Sequence, residues 1–361
     1  MSLTERATTT RVPALDEEPE IVKFVRTDAL QYEGKWDPDE YDPDSARATM
    51  ESHLDDAVEA ERLGMDGMLL TEHHFDGWTL VPSPNVYLAA VAMRTSRLRL
   101  GQAVHVLPIH SPWRLAEETG MLDVLSNGRA EVGVGKGNFS IERIRYNPPG
   151  DNFDQRFEEG LELLTRALRE TNMTFDGTYN KIPLPATVYP RPYNPNLRVW
   201  CAGLRPESIE YIARKGQNLY GFMTPDAGEN FKRYMDAAHQ AGHERSGANF
   251  MVIVSLIIAP TDAEAQRLQQ RALEVSWEAM MARNLPLEEA EFYRPVFGGA
   301  IVGSPQTVLD QLGPAFESTG SRRLNLVFRL RAMPEDVARQ TQYLFATEIM
   351  PQLRHLSPSK V

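Results

Sequence analysis

Eight times along the 361 residues a short apolar run of strand length is followed by a stretch with helical character, and this alternation narrows the possible folds more than any other feature. The runs fall at 22–25, 68–72, 98–106, 130–134, 197–201, 218–222, 250–258 and 324–328. Apolar runs of this length, bounded by glycine, proline and polar residues, read as buried strands. Between them lie stripes at helical spacing, such as Met50, Leu54, Ala57 and Val58, or Phe157, Leu161, Leu164 and Leu168. Helix starts are marked as well. Ser83-Pro84, Ser111-Pro112 and Ser304-Pro305 put a capping residue before a first-turn proline, and Thr261 with Glu264 spells a capping box. Eight strand–helix periods without a break in composition predict an α/β protein, a single (β/α)8 TIM barrel with insertions. A doubly wound two-domain protein is the alternative.

The barrel is expected over residues 21–355. Residues 1–20 are polar and proline-containing with no apolar stretch of signal-peptide type, and read as a flexible tail, as do 356–361. Two segments interrupt the rhythm. A proline-rich excursion at 177–195 predicts a hairpin or extended loop, and about 282–302, with Pro286, Pro295 and Gly298-Gly299, predicts an insertion. No window approaches ~18 uninterrupted apolar residues, which argues against a membrane span. Cys201 is the one cysteine, so no internal disulfide forms, and a cytoplasmic, reducing setting is natural. A formal charge of −12 disfavours nucleic acid as a partner, because such binding rests on cationic contacts to phosphate. An anionic ligand then needs a local positive pocket.

Chemistry concentrates at strand ends. The second run passes from Leu70 into Glu72-His73-His74-Phe75, and in barrels the reacting groups lie beyond the carboxyl ends of the strands. Neighbouring residues of a strand point to opposite faces, so at most one of the two histidines faces a given site. His105 and His110 flank the end of the third run, where a structural role is the plain expectation. The fourth run enters Gly133-Val134-Gly135-Lys136-Gly137, whose spacing lacks the later glycine of a dinucleotide fingerprint. Trp36, Trp78 and Phe139 are loop aromatics suited either to lining an apolar pocket or to plain packing. Cys201, inside a predicted buried strand, is read as core packing.

Taken together, these segments resemble the bacterial luciferase-like, flavin-dependent monooxygenases. The matching pieces are Glu72-His73-His74-Phe75, Ser83-Pro84-Asn85, Leu107-Pro108-Ile109-His110-Ser111-Pro112, Ala116-Glu117-Glu118, Leu122-Asp123-Val124-Leu125-Ser126-Asn127-Gly128-Arg129, the glycine-rich run from Gly133, and Ile349-Met350-Pro351. Their order spans roughly residues 22–353. The resemblance implies a TIM barrel that binds FMN at the strand carboxyl ends, receives it reduced from a separate flavin reductase, and uses O2 through a C4a-(hydro)peroxide to oxygenate a small organic substrate. It puts His73 beside the flavin ring, where an imidazole is suited to proton exchange, with Glu72 orienting an imidazole or lining the pocket and His74 turned away. It further implies a cis peptide bond at Ala103–Val104 beneath the flavin, where the small Ala103 leaves room for the ring. A homodimer is also implied, through helices at about 84–94 and 112–125, the first of them almost wholly apolar over 86–93.

Such a cofactor needs a phosphate site. Gly203-Leu204-Arg205-Pro206-Glu207-Ser208 joins the fifth strand to a helix whose amino end suits a dianion, with Arg205 adding charge and Ser208 a hydroxyl. Lys136 matches a position where family members often place a base near the same phosphate, and Gly137 lets backbone approach closely. Glu207 departs from the pattern and must turn away. Gly135 stands where some members have a reactive cysteine, so no thiol chemistry carries over. Three other readings compete: an F420-dependent oxidoreductase on the same fold, a metal-dependent barrel hydrolase with Glu72, His73 or His74 as ligands, and a flavin-binding protein without catalysis. No metal is expected, since a zinc or iron site needs three or four converging ligands.

Overall fold

The computed structural model describes residues 21–32, 34, 37–75, 79–137, 140–146, 152–193, 197–282, 299–329 and 333–354. The expected tails, and residues 283–298 of the expected insertion, lie outside them, as do Trp36, Trp78 and Phe139. The strands are β1 (Lys23–Asp28), β2 (Gly67–Leu70), β3 (Arg99–Gln102), β4 (His105–Val106), β5 (Val132–Gly135), β6 (Met173–Asp176), β7 (Lys181–Ala186), β8 (Val199–Ala202), β9 (Asn218–Phe222), β10 (Phe250–Ile258), β11 (Ile301–Gly303) and β12 (Arg323–Val327). Helices α1 (Pro43–Arg62), α2 (Pro84–Arg94), α3 (Pro112–Leu125), α4 (Ser140–Tyr146), α5 (Phe153–Arg169) and α6 (Pro206–Arg214) occupy the first part. After them come α7 (Ala227–Gln240), α8 (Asp262–Ala282), α9 (Pro305–Ser318), α10 (Glu335–Leu344) and α11 (Met350–Leu353).

The main sheet runs β3-β2-β1-β12-β10-β9-β8-β5-β4, all parallel, with β11 appended to the end of β10. Only Ala103 and Val104 separate β3 from β4, so the two edges of this order are one interrupted strand and the sheet closes into a barrel. The single third strand expected over 98–106 is thus two segments, and the Ala103–Val104 peptide bond between them is cis. Closure depends on Gly133. A Cβ there would stand 1.7 Å from the Gln102 carbonyl oxygen, so β3 and β5 approach only because this residue has no side chain.

Two cores result. Outside the ring, side chains such as Phe24, Leu70, Leu88, Leu100, Phe157, Phe250, Leu324 and Phe345 pack strands against helices. Inside it, Val25, Leu69, Trp200, Tyr220 and Met251 fill the middle. The alternation of side chains along each strand stacks this interior in layers. Below the apolar middle lie Lys23, Arg99, Glu131 and Arg323. Above it lie the small residues Thr27, Ala103, Gly135 and Ala202 together with the larger Ile253.

Two local expectations change, the serine caps and the closing helix, and a third, the hairpin, holds. Ser83 and Ser111 stand at helix N-caps but make no capping hydrogen bond, whereas Ser304 accepts one from Thr307. The closing helix expected from 334 to 353 is interrupted at Phe345–Ile349 by a wider, π-type turn. Pro351 lacks the N–H that a regular turn would use, which favours the interruption. The excursion at 177–195 takes part in an antiparallel hairpin, β6 with β7.

Candidate active site

Beyond the end of β2 the chain turns through Glu72, His73 and His74 into Phe75, which takes a left-handed φ of 63°. Glu72 is 2% exposed and sits among imidazoles from three places in the chain. Its Oε2 is 2.6 Å from His105 Nδ1, at the start of β4. His110 Nε2, from the turn before α3, lies 2.9 Å from both carboxylate oxygens. His74 Nε2 is 3.1 Å from Oε1, and the Val106 amide donates to the same oxygen at 3.3 Å. Burial alone would raise the Glu72 pKa. The hydrogen bonds from His105, His110 and His74 outweigh it and hold the carboxyl well below the usual range. His105 differs: burial pushes its pKa down despite the carboxylate. For His110 burial acts in the same direction, but the Glu72 hydrogen bond and charge, with Glu118 adding, raise it overall. Of His105 and His110, His110 is therefore the one better suited to hold a proton.

Glu72, His105 and His110 offer ligand atoms that all lie within 4.8 Å of one another, so the structure does bring together a set the sequence had scattered. The 2.6 Å separation of Oε2 and Nδ1 is that of a hydrogen bond. Two atoms each about 2.0–2.2 Å from one tetrahedral zinc stand well over 3 Å apart, so the cluster as it stands is proton-linked.

His73 does not join Glu72. Its Nδ1 lies 3.5 Å from Glu142 Oε1, and Glu142, 1% exposed, also accepts the His74 amide at 3.0 Å. The His74 ring is held from both sides, by Glu72 and by the Tyr146 hydroxyl 3.0 Å from Nδ1. Glu142 and Tyr146 both come from α4, which the sequence reading passed over. The signal was present in the stop Asn147-Pro148-Pro149-Gly150 and in the polar-apolar mixture before it. His53, on α1, was not among the expected site residues. Its Nδ1 lies 2.7 Å from an Asp28 carboxylate oxygen and its Nε2 lies 2.8 Å from Arg329 Nη1. Burial works against the Asp28 charge, but His53 and Arg26 overcome it and hold that carboxyl far below the usual range. This network buttresses the neighbouring ends of β1 and β12.

On the far side of the same rim stand the residues expected to hold phosphate. Gly203 is buried, Leu204, Arg205 and Glu207 are exposed, and Ser208 is half-buried in the first turn of α6. No side chain caps that helix, whose N-cap is Arg205. Lys136 makes a contact of 2.6 Å with Asp154 of α5. The Asp154 carboxyl is held below its ordinary value first by that hydrogen bond, with the charges of Arg143 and Arg205 adding. Lys136 thus has Asp154 as an unforeseen counter-charge, one that the charge of Arg205 also stabilises. Gly137 has φ 79° and its carbonyl accepts from Arg143, so it is a turn residue that ties β5 to α4. Between the two groups Ala103 and Val104 are only half-buried and Gly135 lies against Val104, so the side chains there are small and apolar.

These features fit a flavin. A planar ring has a floor without bulky side chains, and a dianion has Lys136, Arg205 and an uncapped helix start. Thr71 Oγ1, His105 Nε2 and Glu142 Oε2 are buried without a hydrogen-bond partner among the described residues, so a bound polar group could engage them.

The family model for luciferase-like monooxygenases matches residues 34–323. The chain is 27% identical over 306 residues to the oxygenase component of the flavin-dependent trigonelline monooxygenase of Acinetobacter baylyi, covering 76% of this chain and 83% of that protein. An uncharacterised protein of Sinorhizobium fredii is 40% identical over 166 residues, 45% of this chain, and the match spans about half of that relative's length, 48%. A monooxygenase from Streptomyces bottropensis superposes with a TM-score of 0.79 at 27% identity, covering 91% of this chain and 99% of that one. The FMN complex of a type II Baeyer–Villiger monooxygenase of Pseudomonas putida has the same fold, with a TM-score of 0.74, 20% identity and coverage of 94% and 100%. An F420-dependent glucose-6-phosphate dehydrogenase of Kineococcus radiotolerans is 32% identical over 171 residues, 45% of this chain and 49% of its own.

Proposed function

Because the chain belongs to the luciferase-like monooxygenase family, we propose that it uses reduced FMN and O2 to insert one oxygen atom into a small organic substrate, with a separate flavin reductase supplying the cofactor. The observation that carries this reading is one rim of the barrel, where an anion cradle and an imidazole–carboxylate cluster face each other across a floor of small residues. When bound, reduced flavin supplies the electrons that activate O2 and the position from which oxygen passes to the substrate. Everything else is the work of the chain. Lys136 and Arg205 hold the phosphate, with Gly137, Gly203, Leu204 and Ser208 around it, and Ala103–Val104 supports the ring. His73 gives and takes the proton, its Nδ1 side steadied by Glu142 at 3.5 Å. Glu72, with its oxygens engaged by His74, His105 and His110, is a positioning residue that fixes the loop carrying His73.

Anaerobic titration with reduced FMN and with reduced F420, followed by O2 uptake coupled to a reductase, tests the proposal. Reduced FMN is expected to bind more tightly, and O2 uptake to require both reductase and substrate. Arg205→Ala or Lys136→Ala should weaken FMN binding by about 1–3 kcal/mol, the scale of a charge-assisted hydrogen bond. Hydride transfer with F420 and no O2 uptake would replace this reading with an F420-dependent oxidoreductase, which the Kineococcus relative keeps in view.

A further inference from the structure

The stretch on which a flavin ring would rest belongs to no strand: Ala103 and Val104 lie between β3 and β4. On one side it stays with β2, since the Ala103 amide donates to the Leu70 carbonyl at 2.7 Å. On the other side the pairing slips. Leu100 pairs with Ala130 but His105 with Val134, so five steps along β3 and β4 match four along β5. The extra residue makes a bulge, and a bulge locally breaks the ladder of backbone hydrogen bonds. A side chain enters the gap: the Gly133 amide of β5 donates to Gln102 Oε1 at 3.1 Å. That bond fixes the orientation of the carboxamide, and Gln102 Nε2 donates in turn to Asn85 Oδ1 of α2 at 2.7 Å. Asn85 Nδ2 then donates to Glu118 Oε2 of α3 at 3.3 Å. Every donor in this chain points the same way, from a backbone amide of β5 to a carboxylate on α3. Gln102 and Asn85 are 2% and 7% exposed, so bulk water does not make good a broken link.

We propose that Gln102, Asn85 and Glu118 are positioning residues for the flavin floor, a role that rests on the reading of this rim as the flavin site. The floor segment is gripped at both flanks. At one, Glu72 accepts the Val106 amide at 3.3 Å and lies 2.6 Å from His105 Nδ1. At the other, the Gln102 carboxamide ties β3 to β5 and, through Asn85, to α2. Gln102 turns towards α2, on the outside of the barrel, so its grip leaves the inner face of the floor clear for a ring. A floor that is set before the ligand arrives spares binding the cost of ordering a loose segment. Ser83-Pro84-Asn85 and Ala116-Glu117-Glu118, two of the segments that carry the family resemblance, thereby acquire a physical task.

Hydrogen exchange of the flavin-free protein, followed by mass spectrometry, and anaerobic titration with reduced FMN together test the chain. Asn85→Asp keeps an acceptor for Gln102 but sets a carboxylate against Glu118. In the first turn of α2 a carboxylate suits the helix dipole, so the helix itself is not weakened. Exchange over 100–106 and 132–135 is expected to quicken by about tenfold, and FMN affinity to fall by a similar factor. Adding Glu118→Gln, whose amide donates to the new carboxylate, should restore both, a rescue that a general loss of stability would not show. The proposal is overturned if Asn85→Asp leaves exchange over 100–106 as in the parent, or if the double variant is no better than the single one. Failure of the parent to bind reduced FMN would strike the functional reading alone, because the exchange comparison is made without flavin.

Discussion

The two adjacent histidines face different carboxylates, His73 towards Glu142 and His74 towards Glu72. His74 is clamped between Glu72 and Tyr146, whereas Nδ1 of His73 lies 3.5 Å from Glu142. His73→Ala should leave the melting temperature and flavin affinity near those of the parent, lower product formation by about 10²–10⁴-fold and divert O2 to H2O2. Product and peroxide yields measured together decide this, and normal coupling would move proton transfer elsewhere. The Glu72 cluster makes a pH prediction whose two limbs have opposite signs. The lowered Glu72 pKa contributes stability that is complete above its ordinary 4.5 and lost as pH falls through the lowered value. The raised His110 pKa contributes stability that is complete below its ordinary 6.5 and lost as pH rises through the raised value. Denaturant unfolding across that alkaline window should show the parent losing an advantage over His110→Gln as pH climbs. Parallel profiles for the two proteins would mean that His110 holds no extra proton.

Among elements, the broken third strand and its neighbour β5 set the geometry of the cleft. Gly133 reads in the sequence as part of a glycine-rich turn suited to ligand approach, yet its place in the structure is the contact of two strands. Gly133→Ala would drive a Cβ into the Gln102 carbonyl, a backbone group with no rotamer to yield. The expected cost is about 3 kcal/mol or more, read as a shift in urea midpoint, with loss of soluble protein as the extreme case. A shift under ~1 kcal/mol would show that β3 and β5 part easily. The short helix α4 has the opposite lesson. Residues 143–146 are exposed, but Glu142 and Tyr146 are placed so that both histidines after β2 contact it.

For the molecule as a whole, the conspicuous surface is the apolar side of α2 and α3. Val86 and Met93 are 74% and 69% exposed, and Met121, Val124 and Leu125 lie between 41% and 52%. These helices pack on each other, so the exposed residues share one region, and a surface of this kind calls for a partner. A homodimer through this face is the expected assembly. Sedimentation should give about twice the 40.7 kDa chain mass, and Val86→Asp with Met121→Asp should return the monomer. A monomeric parent at micromolar concentration would leave the face without its expected occupant.

The barrel was legible in the amino-acid order because strand burial and helix periodicity are local patterns. Each of the eight apolar runs reappears as a barrel stave, several with ends within two residues of those expected. The stretch 98–106 breaks in the middle, at the cis bond that the resemblance implied. Glu72, His73, Lys136 and Arg205 were likewise visible from their positions at strand ends. What surrounds them was not. Glu72 finds His105 and His110 at separations of 33 and 38 residues, and Glu142 reaches the His74 amide across 68. Those distances are bridged only when parallel strands align in register and the ring closes, and no local pattern encodes which strand ends then meet. The same closure gathers Lys23, Arg99, Glu131 and Arg323 from four separate strand beginnings into one charged mouth. In sequence each is an ordinary polar residue before an apolar run; only the closed barrel makes them neighbours, because charge sums over space and not along the chain.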